Sequence, residues 1–381
     1  MNKDVDSTSS LQVEELLSRG VTEVIDLEHL KKKLSSGEKL RIKLGIDPTS
    51  PNIHIGRAVV LWKLRAFQDA GHTAVFIVGD ATGVVGDTSD KESERPMLSA
   101  EQVEANLKNY FEQAFKILDK DKTETHHNSE WLSKLGFVEI AKMANLFGLH
   151  EFESREVIAR RLKEGKRIAL QEVLYPIMQG YDSVAVKADV ELGGTDQRFN
   201  LLAGRTIQPA YGQEPQDILM TDLLEGTDGR KMSSSWGNVI NLNDSPDDMF
   251  GKIMSIKDEF VKKYFELCTN IPMVEVEEII KQHPKDAKMR LAFEIMKRFD
   301  ENTASKAQEN FEETFSKGGI PKEIQTVRVS KDTPLVETLL KEGLVSSKTE
   351  FNRLEEAGAI KEIESGVYRI GKHRFLKIET D

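Results

Sequence analysis

Three polar side chains in the middle of the chain share a helical spacing and could line a binding pocket. Tyr175, Gln179 and Asp182 stand at positions i, i+4 and i+7 of one segment. A helix would place all three on one face, among apolar neighbours. A phenol, an amide and a carboxylate arranged in this way form either a buried hydrogen-bond network or a ligand pocket. The residue types alone leave both interpretations open.

A second group of candidate residues lies at a junction between a predicted strand and a predicted helix. Residues 40–44 alternate as a buried strand does, and residues 58–67 have the apolar spacing of a helix. His54 and Gly56 stand at the helix start, where unpaired N–H groups and a partial positive charge favour phosphate. The glycine would let such a ligand approach the backbone. The junction therefore predicts a phosphate site, although a lone histidine there is more often a cap or a packed side chain.

Two glycine-containing segments follow other predicted strands. Residues 79–89 follow the apolar run 73–78, and residues 191–200 contain Gly194 and Asp196. Open α/β sheets bind ligands beyond the carboxyl ends of their strands, where a carboxylate can accept hydrogen bonds from ribose hydroxyls. Both segments are therefore predicted to face a ligand, with a plain glycine-rich turn as the alternative for residues 79–89.

A loop dense in glycine, serine and basic residues follows the last predicted strand, residues 217–220. It spans residues 224–235 and contains Arg230 and Lys231. A lid over a triphosphate has to be mobile and to donate many hydrogen bonds, and such a composition provides both. A flexible surface turn is the alternative for this loop.

The composition is typical of a soluble globular enzyme with two or three domains. The chain has 381 residues, of which 39% are hydrophobic and 31% charged, and its net charge is −11. Cys268 is its single cysteine, which excludes an internal disulfide and fits a reducing cytoplasm. No apolar run reaches the roughly 18 residues of a membrane span, and no secretory signal is visible. The acidic balance confines any RNA contact to local patches.

The segments between these motifs are predicted to be mostly helical. Residues 1–39 are expected to form a helical lead-in, and residues 99–119 a long amphipathic helix. Residues 120–129 form a polar interval before further helices. Beyond Trp236 the pattern is again helical to about residue 317.

A small basic module is predicted at the C-terminus, beyond a linker at residues 316–321. Residues 367–378 alternate as a β-hairpin does, and the span 368–377 carries four basic residues and no acidic ones, with Tyr368 and Phe375. Interleaved basic and aromatic side chains suit contact with an RNA backbone and stacking on bases. A solvated edge hairpin is the alternative.

Two of these motifs resemble the signatures of class I aminoacyl-tRNA synthetases. Residues 54–57 (His-Ile-Gly-Arg) resemble the HIGH motif, with Arg57 in place of its last histidine. Residues 231–235 (Lys-Met-Ser-Ser-Ser) resemble the KMSKS loop, with Ser234 in place of its second lysine. The loss of the second lysine puts the usual division of labour in this loop in doubt, and we hypothesise that Arg230 supplies part of the missing charge.

Three further motifs resemble those of the tyrosine enzymes in particular. They are the loop at residues 79–89, the helix at residues 174–182 and the Gly-Gly-Thr-Asp-Gln stretch at residues 193–197. The resemblance spans roughly residues 38–378, with the motifs in family order. It is closest to bacterial tyrosyl-tRNA synthetases that end in an S4-type RNA-binding domain.

The resemblance implies an α/β fold with three domains. A Rossmann-like parallel-sheet catalytic domain would span residues 1–236, with a helical connecting and dimerisation insertion at about 120–172. An α-helical anticodon-binding domain would span residues 237–320. A small α+β S4-like RNA-binding domain would span residues 328–381.

The resemblance also implies a reaction and its partners. Tyrosine would be activated with ATP to tyrosyl-adenylate and transferred to the 3′ end of tRNA(Tyr), with release of pyrophosphate and AMP. Mg²⁺ would accompany ATP without a dedicated protein site, and no covalent enzyme intermediate is expected. The expected protein is a cytoplasmic homodimer with no membrane contact.

Site residues follow from the resemblance position by position. The residues expected to act in catalysis are His54, Arg57, Arg230 and Lys231. The residues expected to bind ATP are Asp47, Thr49, His54, Gly56, Gly194, Asp196, Lys231, Met232, Ser233 and Ser234. The residues expected to bind tyrosine are Gly45, Asp87, Tyr175, Gln179, Asp182 and Gln197. The residues expected to bind RNA are Arg369, Lys372, Arg374 and Lys377.

One departure concerns specificity, and two other functions stay open. Many tyrosine enzymes carry a second tyrosine that reaches the substrate hydroxyl, and here that position is Lys43. A second partner of the hydroxyl, besides Asp182, is therefore not evident. A tryptophan enzyme shares the scaffold but is disfavoured by the helix at residues 174–182. A catalytically weak RNA-binding paralogue is suggested by Arg57 and Ser234.

Overall fold

The computed structural model describes residues 12–88, 97–316, 324–330, 333–371 and 374–380, which form two compact units. The first unit contains the chain up to Asn243 together with Glu259–Glu277. The second contains Asp244–Asp258 and the chain from Glu278 onward. The three-domain division stays a prediction. No helix in the described ranges is long and apolar enough to cross a membrane.

Strands and helices are numbered in chain order. The strands are β1 (Val21–Ile25), β2 (Arg41–Ile46), β3 (Thr73–Val78), β4 (Thr123–His127), β5 (Val190–Gly194), β6 (Asp217–Thr221), β7 (Thr326–Val329), β8 (Ile360–Glu364), β9 (Val367–Ile370) and β10 (Arg374–Thr380). The helices are α1 (12–18), α2 (Leu27–Ser35), α3 (Ile55–Asp69), α4 (Asp80–Val85), α5 (Ala100–Leu107), α6 (Tyr110–Ala114), α7 (Ser129–Leu132), α8 (Phe137–Ala144), α9 (Leu149–Glu153), α10 (Glu156–Lys163), α11 (Leu170–Val186), α12 (Arg198–Ile207), α13 (Pro246–Met254), α14 (Val261–Cys268), α15 (Met273–Ile279), α16 (Pro284–Lys297), α17 (Glu301–Ser316), α18 (Leu335–Lys341) and α19 (Lys348–Glu356).

A six-stranded sheet organises the first unit. Its order is β1-β6-β5-β2-β3-β4, and β2 to β6 run parallel to one another while β1 is antiparallel to β6. Every residue of β5 and β6 is buried, as in a parallel sheet covered on both faces. The chain order changes direction between β2 and β5, and ligands bind parallel sheets at such a switch point. The Rossmann-like fold prediction is confirmed.

Both edge strands of this sheet were missed by the sequence patterns. Strand β1 lies within the expected helical lead-in, and β4 lies within the expected polar interval. An edge strand is only partly buried, so it need not carry the apolar run that marks a central strand. The expected long helix at residues 99–119 is also divided, into α5 and α6.

Helix α11, which carries Tyr175, Gln179 and Asp182, packs closely on α12. A Cβ atom at Gly180 would lie 2.9 Å from the backbone carbonyl carbon of Ala203. Glycine at this position therefore permits direct backbone contact between the two helices. The contact fixes α11 beside the switch point of the sheet.

The second unit contains packed helices and a small sheet. Helices α13, α16 and α17 contact one another. Strands β7, β10, β9 and β8 form a four-stranded sheet, whose core contains Leu339 of α18 and Phe351 of α19. The predicted hairpin is present as β9 and β10, paired antiparallel. Lys372 and most of the predicted linker lie outside the described residues.

Candidate active site

A cleft of about 1130 Å³ opens at the carboxyl ends of the central strands. All predicted ATP and tyrosine residues line it, and so do three of the predicted catalytic residues. These lining residues are Gly45, Asp47, Thr49, His54, Gly56, Arg57, Asp87, Tyr175, Gln179, Asp182, Gly194, Asp196, Gln197, Lys231, Met232, Ser233 and Ser234. Segments that are far apart in the chain are thus brought to one site by the parallel sheet.

The Asp182 carboxylate is the most enclosed acid of the cleft and is held by two donors. Its side chain is 3% exposed. Trp131 Nε1 donates to Oδ1 at 2.7 Å, and Asn128 Nδ2 donates to Oδ2 at 3.2 Å. Burial raises the pKa of Asp182 to about 7, while the nearby Lys43 charge and the two donors oppose that rise. This carboxylate can accept a further hydrogen bond from a ligand hydroxyl in the cleft.

Asn128 and Trp131 were missed because the strand before them was missed. Both follow β4, so the parallel sheet carries them to the same edge as the other cleft residues. Asn128 also donates to Thr82 Oγ1 at 2.9 Å. Recognition of β4 as a strand of the sheet would have pointed to the residues that follow it.

Asp47 joins the polar network around Tyr175. Its carboxylate accepts hydrogen bonds from the Tyr175 hydroxyl at 2.9 Å and from Thr82 Oγ1 at 2.7 Å. Burial raises the pKa of Asp47 to about 6. Sequence reasoning placed Asp47 with the ATP residues, whereas the structure places its carboxylate against a predicted tyrosine-binding residue.

Asp87 and Gln197 form a second polar pair in the cleft. Gln197 Nε2 donates to Asp87 Oδ2 at 2.7 Å, and its Oε1 accepts from Asn200 Nδ2 at 2.9 Å. The adjacent Thr88 hydroxyl donates to Glu172 at 2.7 Å. The loop after β3 is therefore anchored to α11 next to its carboxylate.

His54 lies at the N-terminus of α3 as an uncharged side chain. Burial lowers the pKa of His54 to about 3, and the charges of Arg57 and Lys231 add to this effect. A Cβ at Gly56 would lie 3.1 Å from His54 Nδ1 and 3.3 Å from Met232 Cβ. Glycine at this position therefore leaves room for the imidazole and for the loop that carries Met232.

Arg57 is engaged with the loop that precedes α3. Its guanidinium donates to Asp47 O at 3.0 Å, to the Tyr110 hydroxyl at 2.6 Å and to Thr49 Oγ1 at 2.8 Å. These contacts make it a support of the loop at residues 47–49 as well as part of the cleft wall.

The loop with the predicted lid lysine reaches across to both sides of the cleft. Lys231 Nζ lies 2.8 Å from Asp196 Oδ2, and the Ser234 and Ser50 hydroxyl oxygens are 3.2 Å apart. Arg230 lies outside the cleft wall, where its Nε donates to Asp228 at 2.7 Å and its guanidinium stacks on Trp236. Lys231 thus neutralises the acid predicted to bind ribose.

The cleft contains no cluster of protein groups suited to a metal ion among the described residues. The group close enough to hold one is Asp26, His29 and Asp217, which is not part of the cleft wall. There His29 Nδ1 lies 2.9 Å from Asp217, and Arg205 lies 3.8 Å from the same carboxylate. The Asp217 carboxylate of this group is thus already engaged by a histidine and lies near an arginine.

Three of the predicted RNA-binding residues, Arg369, Arg374 and Lys377, lie in the described part of the second unit. Arg374 donates to Leu344 O and lies 3.5 Å from Glu350, and Lys377 lies 3.1 Å from Glu379. Arg369 is in β9. Their clustering on one hairpin agrees with the sequence pattern, while their role stays a prediction.

Comparison with known proteins identifies the family. The family model for class I tRNA synthetases (W and Y) matches residues 35–316. The tyrosine–tRNA ligase of Thermotoga maritima is 46% identical and covers 95% of this chain and 96% of its own. The tyrosine–tRNA ligase of Carboxydothermus hydrogenoformans is 45% identical and covers 96% and 97%.

Solved structures share the fold. A truncated mitochondrial tyrosyl-tRNA synthetase of Aspergillus nidulans superposes with a TM-score of 0.67 at 20% identity, over 80% of this chain and 94% of its own. The Archaeoglobus fulgidus enzyme, solved with L-tyrosine, gives a TM-score of 0.64 at 23% identity, over 79% and 99%. The chain therefore belongs to the tyrosine–tRNA ligase family, within the class I tRNA synthetases for tryptophan and tyrosine.

Proposed function

We propose that this chain joins tyrosine to tRNA(Tyr) in two steps, through tyrosyl-adenylate. The observation that carries the proposal is the buried Asp182 carboxylate, which Trp131 and Asn128 fix in the cleft wall. An acceptor held there suits the phenolic hydroxyl of tyrosine. Such a site rejects phenylalanine because its own polar groups stay unpaired, an effect for which this enzyme family is itself the standard example.

The α-ammonium group of tyrosine, at the opposite end of the substrate from its hydroxyl, would contact Asp87 and Gln197. Asp87 and Gln197 are joined at 2.7 Å and both line the cleft. A carboxylate and an amide oxygen can accept hydrogen bonds from the α-ammonium group. Tyr175, whose hydroxyl is fixed on Asp47, would border the ring of the substrate.

In the first step, the tyrosine carboxylate attacks the α-phosphorus of ATP and pyrophosphate leaves. Chemistry of this kind depends on positioning and on charge stabilisation, so no protein nucleophile is required. His54 would donate a hydrogen bond to the phosphates as a neutral imidazole. Mg²⁺ would enter as the counter-ion of ATP.

Lys231 and Asp196 would change partners when ATP binds. In the structure they form an ion pair of 2.8 Å. Ribose hydroxyls that donate to Asp196 would compete with Lys231 for the carboxylate. The released ammonium group could then stabilise the charge that develops on pyrophosphate.

A homodimer is supported by exposed apolar side chains in the predicted connecting insertion. Phe137 is 85% exposed, Leu149 63% and Leu170 81%. Large apolar side chains that are this exposed in one segment of the chain are consistent with a surface that a second subunit covers. Sedimentation equilibrium would test this, and a monomer at micromolar concentration would contradict it.

In the second step, the terminal ribose of tRNA(Tyr) takes the tyrosyl group and AMP leaves. We propose that residues 237–320 contact the anticodon and that residues 328–381 contact tRNA through Arg369, Lys372, Arg374 and Lys377. We propose that the enzyme acts in the cytoplasm, where its three substrates would be available together.

The proposed function is tested by aminoacylation. Purified protein, labelled tyrosine, MgATP and bacterial tRNA should give acid-precipitable tyrosyl-tRNA. Lys231→Ala is the matched control, since it removes the lid charge and should slow the reaction strongly. Folded protein that charges no tRNA with tyrosine would overturn the proposal.

A further inference from the structure

A buried ion pair lies behind the proposed tyrosine pocket. Lys43 of β2 and Glu191 of β5 stand opposite each other in the parallel register of these strands. Their side chains are 0% and 1% exposed, and Nζ lies 2.9 Å from Oε1. A buried ion pair commonly stabilises a fold no more than apolar residues of the same volume do. Stability alone therefore does not account for these two charges.

Both charges are tied to helix α11 by further hydrogen bonds. Lys43 Nζ donates to Gln179 O and to Ser183 Oγ, each at 2.8 Å, which uses all three donors of the ammonium group. Glu191 accepts from Gln179 Nε2 at 3.1 Å and from Ser183 Oγ at 3.1 Å. It also accepts from Gln216 Nε2. The pair thus fixes the turn of α11 that precedes and includes Asp182.

The ion pair acts on two groups that line the cleft. A carboxylate can only accept hydrogen bonds, so Glu191 holds the Gln179 amide with its NH₂ group toward the pair. The amide oxygen of Gln179 is then the atom presented to a ligand. Burial raises the pKa of Asp182 to about 7, and the positive charge of Lys43 opposes that rise by more than the negative charge of Glu191 adds to it. Lys43 therefore favours the form of Asp182 that only accepts hydrogen bonds.

We propose that Lys43 and Glu191 are positioning residues that set the selectivity of the cleft for tyrosine over phenylalanine. The inference rests on the proposed binding of tyrosine by Asp182 and Gln179. The fixed amide oxygen of Gln179 and the anionic carboxylate of Asp182 can only accept hydrogen bonds. They therefore match a ligand hydroxyl, which can donate one. Phenylalanine leaves these acceptors without a donor, so each group that the pair fixes adds to discrimination.

The test is tyrosine- and phenylalanine-dependent ATP–pyrophosphate exchange on two variants. Glu191→Gln keeps the side-chain shape but removes the charge and lets the side chain at 191 donate as well as accept. The double variant Lys43→Met/Glu191→Met replaces the pair with apolar side chains of similar length, an exchange that buried ion pairs often tolerate. In both, the kcat/KM ratio of tyrosine to phenylalanine should fall about tenfold, as the loss of one hydrogen bond predicts. The change should appear in KM for tyrosine, with kcat nearly unchanged.

Lys63→Met is the matched control for loss of an enclosed lysine. Lys63 Nζ donates to Leu16 O at 2.9 Å and to Arg19 O at 2.7 Å, away from the cleft wall. This variant should lower the melting temperature and leave the selectivity ratio unchanged. Folded Glu191→Gln or double-variant protein with the wild-type ratio would overturn the inference, as would an equal loss of selectivity in Lys63→Met. Wild-type protein that fails to use tyrosine would instead overturn the proposed function.

Discussion

The surroundings of His54 hold its imidazole in the uncharged form. Burial and the charges of Arg57 and Lys231 lower its pKa from 6.5 to about 3. A pKa shift of that size makes protonation of His54 about 5 kcal/mol less favourable in the folded protein than in the unfolded chain. His54 should therefore act on phosphate as a neutral hydrogen-bond donor across the working pH range.

Two substitutions separate a neutral donor from a cation. His54→Ala removes the donor and should lower kcat for tyrosine-dependent exchange about 10- to 100-fold, the range for a hydrogen bond to a charged group. His54→Asn keeps an uncharged N–H donor and should retain a larger part of the rate. KM for tyrosine should stay within about twofold in both, because the proposed contact of His54 is with the phosphates of ATP and not with tyrosine.

The pH dependence completes the test. The pH profile of the wild-type rate should contain no ionisation that is absent from the profile of His54→Ala. The unfolded chain binds a proton at His54 below pH 6.5 and the folded chain does not until about pH 3, so stability falls as pH falls through that window. His54→Asn should remove this part of the decline in denaturant unfolding. Two results together would refute the neutral-donor role. One is an equal loss of rate in His54→Ala and His54→Asn. The other is a wild-type rate that falls as pH rises through an ionisation that the His54→Ala profile lacks.

Three further predictions concern other cleft residues. Trp131→Phe removes one donor to Asp182 and should raise KM for tyrosine about tenfold in steady-state exchange; an unchanged KM would contradict the proposed pocket. A carboxyl group with a raised pKa in the folded state lowers the free energy of unfolding as pH rises from 4 to 7, so Asp182→Asn should make that decrease smaller. Denaturant unfolding of both proteins at pH 4 and at pH 7 measures the difference. Arg230→Ala should slow adenylate formation several-fold in single turnovers, and an unchanged rate would exclude Arg230 as a source of the missing lid charge.

Local motifs predicted the side chains of the cleft well. The spacing of Tyr175, Gln179 and Asp182 predicted a shared helix face, and α11 places all three in the cleft wall. Glycine and carboxylate residues after predicted strands also line the cleft, because parallel strands end at one edge. The family and the fold class are both confirmed.

Partners across the sheet could not be predicted in the same way. Trp131 contacts Asp182 over 51 positions of sequence, and Lys43 contacts Glu191 through the register of two strands. Neither pairing leaves a local pattern, and a lysine in an apolar strand appeared only as a departure from the family. Strand β4, which brings Trp131 to the site, has a polar sequence because it lies at the sheet edge.

The proposed function requires a cleft that activates tyrosine and rejects its close analogues. ATP–pyrophosphate exchange with tyrosine, tryptophan and phenylalanine in parallel measures this directly. Exchange with tyrosine at a rate far above the other two is the predicted result. Exchange with tryptophan would contradict the role of Asp182, and no exchange with any of the three by folded protein would favour a non-catalytic RNA-binding function.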